Sequence, residues 1–137
     1  SLEGTWRIIE MTETEIVGGE IVKTTEKFPQ KMPIEDIEDF VVLIEPCLQL
    51  KNKQFKTFIR YYFEDCPDNH PYKDGFVIPD EAYEYSVTDN IITCEGRNYT
   101  YTISGTSMTM IEEGSWVVKL KKASDSIVAN VFYEVPF

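Results

Sequence analysis

The chain has 137 residues, enough to bury one apolar core without disulfides or a structural metal, and its 13 basic against 24 acidic side chains leave a formal net charge of -11. Such a field repels phosphate backbones and anionic lipid headgroups, so no nucleic-acid partner is expected. The longest apolar run, Phe40 to Ile44, falls far short of the roughly 20 residues that a membrane helix needs.

In chain order, Leu2 to Met11 reads as an opening strand, in which Gly4 permits a sharp entry and Trp6 has a large area to bury. Ile16-Val17 and Ile21-Val22 then flank Gly18-Gly19, the pattern of a hairpin, here a charged one spanning Glu15 to Lys27. Between Phe28 and Asp39, Pro29 and Pro33 precede Ile34, Ile37 and Phe40 at spacing three among acids, which predicts a short helix. From Phe40 to Lys51, apolar residues alternate through Val42, Ile44, Leu48 and Leu50. Pro46 lies in the middle and cannot donate to a sheet ladder, so a bulge or an edge is expected there. Lys51-Asn52-Lys53 turns the chain into Phe55 to Glu64, where Phe55, Thr57, Ile59, Tyr61 and Phe63 share one face.

Asp65 to Glu81 breaks the alternation with Pro67, Pro71, Pro79 and Gly75, and it contains the single histidine, His70; it reads as a loop over one end of the sheet. From Tyr83 to Lys122 the period of two is clean. Tyr83, Tyr85 and Val87 share a face, as do Tyr99, Tyr101 and Ile103, then Met108 and Met110, then Trp116, Val118 and Leu120, with turns at Asp89-Asn90, Glu95-Gly96, Ser104-Gly105 and Glu113-Gly114. Ser124 to Phe137 suits a helical face and a strand equally well. Neither an internal repeat nor a linker interrupts the chain, so residues 1-137 are read as a single domain.

Eight or nine short antiparallel strands must hide their edges and enclose one apolar face. A closed up-and-down β-barrel of about eight strands does both, and its interior is either filled by side chains or holds one small ligand. The fold class is therefore all-β. Gly4-Thr5-Trp6 matches the Gly-x-Trp signature of lipocalins. The succession Tyr-x-Ile-x-Gly from Tyr101, Met-x-Met from Met108 and Trp-Val-Val-Lys-Leu-Lys from Trp116 resembles the last strands of bacterial lipocalin-like domains, within the calycin-type barrels. The resemblance implies that Gly4 and Trp6 help close one end of the barrel, with Lys119 or Lys121 packing across the indole where lipocalins usually supply Arg. It also implies an exported protein of the cell envelope or a secreted one, its leader removed and a lipid anchor upstream as one form of attachment. The opening is similar to that of fatty-acid-binding proteins too, with a glycine-rich hairpin in place of their helical lid.

The three cysteines, Cys47, Cys66 and Cys94, are spaced like neither a zinc ribbon nor a disulfide framework, so one pair plus a thiol and three thiols both stay open. Asp65, Asp68, His70 and Asp74 are suitable metal-ligand types, but their spacing fits no EF-hand or zinc motif and suits a solvated loop. Cys66 with His70 would need a more rigid platform to act as nucleophile and base. No cofactor and no catalysis are expected. The functional expectation rests on the stripe of Phe55, Tyr61, Phe63, Tyr83, Tyr85, Tyr99, Tyr101, Met108 and Met110. It either lines a cavity for a small, mostly apolar or amphipathic ligand, with neutral or cationic head groups favoured by the acidic chain, or packs the barrel solid in a module that binds a partner by its outer surface.

Overall fold

The computed structural model describes residues 1-32, 41-64 and 66-136. Its strands are β1 (Gly4–Val17), β2 (Glu20–Lys27), β3 (Gln30–Lys31), β4 (Val41–Lys51), β5 (Gln54–Glu64), β6 (Phe76–Thr88), β7 (Ile91–Cys94), β8 (Arg97–Ser104), β9 (Ser107–Glu112) and β10 (Trp116–Ala123). Each of β4 to β10 pairs with its sequence neighbour, β10 returns to β1, and β1 closes on β4 through Gly4 to Arg7 opposite Leu50 to Cys47. The result is a closed antiparallel barrel of eight strands, as the alternation predicts. Among the described residues there is no α-helix, and no helix is long and apolar enough to cross a membrane.

The turns follow from their residues. Gly18-Gly19, Asn52-Lys53 and Glu95-Gly96 are two-residue connections with both residues at positive φ, the geometry whose twist matches that of paired strands. Side-chain parity then fixes the interior. Trp6, Ile8, Leu48, Leu50, Tyr85, Ile92, Cys94, Met108, Met110 and Leu120 form one buried core inside the barrel.

The seam between β1 and β4 is incomplete. Beyond Arg7, β1 leaves β4, bends at a bulge between Ile8 and Glu10, and continues as a hairpin with β2 whose residues from Glu15 to Lys27 are all exposed. The far half of β4 pairs instead with β3, through Ile44 and Leu43. Pro46 therefore lies where β4 has neither β1 nor β3 beside it, while its pairing to Ile59 on β5 is unbroken. It marks an edge and not a bulge. The helix expected between Phe28 and Asp39 falls mainly on residues 33-40, outside the described residues, and Gln30–Lys31 before it is strand.

The segment after β10, which suits a helix and a strand equally well by pattern, forms neither at any length. A single 3-10 turn, Asp125–Val128, is followed by one bridge from Val131 to Val77 on the edge of β6 that β7 is too short to cover. This tail lies across the outside of the barrel, where Ile127 and Val128 pack on Cys47, Phe58 and Val77. Thr5 Oγ1 donates to Asp125 Oδ1 at 2.7 Å, and Asn130 Nδ2 donates to Gly75 O at 3.1 Å. Close by on the outer face, the Glu45 carboxylate is wholly buried between two guanidinium groups, with Arg7 Nη2 at 2.8 Å and Arg60 Nη1 at 2.9 Å. Arg60 in turn lies 4.3 Å from the centre of the Tyr62 ring.

Candidate functional site

One end of the barrel is shut. Trp6 is 1% exposed, its Nε1–H donates to Leu2 O at 3.0 Å, and Lys122 Nζ lies 4.6 Å from the ring centroid. The ammonium group also donates to the carbonyls of Glu3 and Ser1. Gly4, at φ +132°, leaves room for that lysine, since a Cβ there would run into Lys122 Nζ and Cε. The cation across the indole is thus Lys122 and neither Lys119 nor Lys121. Lys119 points outward to Glu10, Nζ to Oε2 3.2 Å, and Lys121 donates to Ser107 Oγ outside the barrel. The parity of Trp116, Val118 and Leu120 carries the signal that identifies the inward lysine: the next residue of that series is Lys122.

Above this plug, Leu50, Tyr85, Ile92 and Met108 belong to the buried interior, and space opens further toward the other end. There a chamber of about 200 Å3 is walled by Ile8, Met11, Leu48, Phe55, Met110, Trp116, Val118 and Leu120, with Thr57, Tyr99, Glu81 and Arg97 completing it. Inward positions of β1, β4, β5, β9 and β10 supply the apolar wall because their alternation points those residues at one another. Two charged residues enter where the ladder starts or is broken: Arg97 is the first residue of β8, and Glu81 lies within the irregularity in the β5–β6 register between Lys56 and Phe58.

An adjoining vestibule of about 340 Å3 shares Phe55, Glu81, Arg97 and Tyr99 with the chamber and adds Tyr83, Cys94 and Glu95. The Phe55 and Tyr99 rings stack with centroids 6.2 Å apart and planes 17° from parallel. Arg97 is held by Tyr99 and by Glu112, Nε to Oε2 3.8 Å; its hydrogen bond to Tyr99 and the nearby Glu112 carboxylate both raise its pKa. Loss of water around Tyr83, then its hydrogen bond to the Glu81 carboxylate, raise the pKa of that phenol. A second crevice of about 290 Å3, lined by Phe28, Ile44, Pro46 and Ile59, opens at the β1–β4 split and shares Met11 with the chamber.

The aromatic and methionine stripe therefore divides three ways. Phe55, Tyr99 and Met110 line the chamber, and Tyr83 lines the vestibule. Tyr85 and Met108 are packed into the core, and Tyr101, opposite Met110, is partly buried against it. Tyr61 and Phe63 lie beyond the rim in a separate aromatic stack. Tyr61 is stacked on Phe76 at 5.1 Å, Phe63 meets His70 and Tyr72 at 5.2 and 6.0 Å, and Phe132 of the tail stacks on Phe76 at 4.9 Å. The loop read over Asp65 to Glu81 is shorter than expected, since Phe76 to Glu81, Pro79 included, belongs to β6; residues 66-75 cover this stack, and none of them lines the chamber. Gly75, at φ +77°, brings the loop back against β5, where a Cβ would stand 2.5 Å from Tyr61 O. Among the described residues no group of three His, Cys, Asp or Glu side chains could hold a metal ion.

Cys47 lies under the tail on the outer face, and Cys94 is buried in the barrel core; the two are unpaired thiols. Desolvation, followed by the Glu45 charge, pushes the Cys47 thiol up to about 12, so it is no nucleophile at neutral pH. Compared with protein-family models, curated proteins and solved structures, the chain finds no match.

Proposed function

We propose that this protein is a non-enzymatic binder of a small, mostly apolar molecule, held in the chamber at the open end of the barrel. The observation that carries the reading is a mostly apolar wall drawn from five strands around about 200 Å3, with Thr57, Tyr99, Glu81 and Arg97 as its polar residues. A cavity of about 150 Å3 lined by aliphatic and aromatic side chains accommodates benzene, so this chamber suits a single ring with a short substituent. Retinoids, haem and long acyl chains exceed it. The lipocalin-like resemblance of Gly4-Thr5-Trp6, and with it a place in the envelope, belongs to the same proposal.

Trp116 borders the chamber while Trp6 plugs the far end, so Trp6→Phe leaves a reporter at the site. Titrating that variant with 2-phenylethanol should change its fluorescence saturably, and Met110→Trp, which fills the chamber, should abolish the heat of binding in calorimetry of the otherwise unaltered chain. No saturable response to any single-ring compound would overturn the proposal. A second reading, a module that docks a partner on its outside, is favoured by the hairpin tip, where Ile16 and Ile21 are 78% and 71% exposed. It predicts partner binding that is lost on Ile16→Lys with no response to ring compounds.

A further inference from the structure

The mouth of the chamber has a charge pattern that selects among single-ring ligands. Glu81 and Glu95 line the vestibule with one guanidinium, that of Arg97, which is already engaged by Glu112 and Tyr99. Among the described residues, neither Glu81 nor Glu95 has a basic nitrogen within 4.0 Å. The vestibule between them is lined by three aromatic rings, Phe55, Tyr83 and Tyr99. Ring faces carry negative electrostatic potential and attract organic cations, most strongly where water is partly excluded. The chamber adjoins it, sharing Phe55, Glu81, Arg97 and Tyr99, and its mostly apolar wall suits a ring better than a charge, which loses its water there.

We propose that the ligand is a single-ring organic cation, its ring in the chamber and its ammonium group in the vestibule among Glu81, Glu95 and the Phe55, Tyr83 and Tyr99 rings. This rests on the ligand-binding reading above and adds the sign and place of the head group. The distance between the two subsites is short because they share residues, so one or two methylenes join ring and ammonium. An anionic analogue meets more carboxylates than guanidinium groups, and the whole-chain charge of -11 adds to its exclusion. A neutral analogue keeps the ring contacts and loses the head-group attraction.

Calorimetry on the full chain with 2-phenylethylamine, 2-phenylethanol and 3-phenylpropionate separates these cases, since the three probes share a ring and differ in charge. The amine should bind at least about tenfold more tightly than the alcohol at low salt, with the acid weakest. Raising ionic strength from about 0.02 M to about 0.5 M should shrink the amine's advantage, because exposed charges are screened. Glu81→Gln and Glu95→Gln should each lower the amine-to-alcohol affinity ratio, and Glu81→Asp should restore part of it. Equal binding of amine and alcohol overturns the head-group assignment while leaving the chamber reading in place. Tightest binding of the acid overturns it in favour of Arg97. Failure of all three probes removes both readings.

Discussion

Replacing Trp6 tests how the barrel is closed. The side chain is 1% exposed, spans the floor among Leu50, Leu120 and Met108, donates one hydrogen bond to Leu2 O, and lies under Lys122. The hydrogen bond contributes about 1 kcal/mol net and the cation over the ring about 0.5 to 1 kcal/mol. Burial and the cavity left behind supply the rest of the about 3 to 5 kcal/mol expected for Trp6→Ala. With a urea m-value of about 2 kcal/mol/M, the unfolding midpoint should fall by about 2 M. Trp6→Phe retains a ring and should lose about half as much. Lys122→Met should cost about 1 kcal/mol, whereas Lys119→Met and Lys121→Met, both on the outer face, should fall within about 0.5 kcal/mol of zero. A Trp6→Ala loss below about 1 kcal/mol, or equal costs for the three lysines, would refute this account of the plug.

Glu45→Ala leaves Arg7 and Arg60 facing each other with no carboxylate between them, and Arg60 is largely buried; the loss should be about 3 to 5 kcal/mol in urea unfolding. A neutral result would show that the triad is no part of the seam's stability. Cys47 gives a pH dependence of known sign. Its folded pKa of about 12 lies above the ordinary 9.0, so the folded state keeps a proton that the unfolded state releases. Stability should be unaffected by this group below pH 9.0 and fall at up to about 1.4 kcal/mol per pH unit above it. Tyr62, raised chiefly by desolvation and then by the Glu45 charge, acts in the same direction. Cys47→Ala should flatten the decline between pH 9 and about 11, and an unchanged slope would assign it to other groups. Gly75→Ala should cost about 1 to 3 kcal/mol more than Gly18→Ala, since an added Cβ meets Tyr61 O at Gly75 and nothing within 4 Å at Gly18. Equal costs would mean that the loop yields freely.

Side-chain parity made most of the barrel legible. Tyr99 and Tyr101, Met108 and Met110, and Trp116, Val118 and Leu120 all face inward because a strand's period is two whatever its partner. What parity cannot supply is height along the barrel. Phe55, Tyr61 and Phe63 share a face, yet β5 runs past the rim, so the first lines the chamber while the other two lie under residues 66-75. Arg97 resembles any charged residue at a strand end, and Glu81 reads as part of a loop, until the register brings β6 and β8 around one opening. Strand partition was equally hidden at β1, whose 14 residues serve the barrel seam first and a free hairpin afterwards. The tail was ambiguous because its apolar residues answer to a surface already formed by Cys47, Phe58 and Val77 and not to a period of their own.

The four methionines place the ligand directly. Met11 and Met110 line the chamber, Met108 is packed toward the closed end, and Met32 lies just beyond β3. With 13C-methyl methionine and assignments from single Met→Leu variants, titration with 2-phenylethylamine should shift the Met11 and Met110 methyl signals saturably and leave those of Met108 and Met32 in place. Saturable binding that moves Met32 alone, or that moves no methionine methyl, would contradict a ligand chamber inside the barrel.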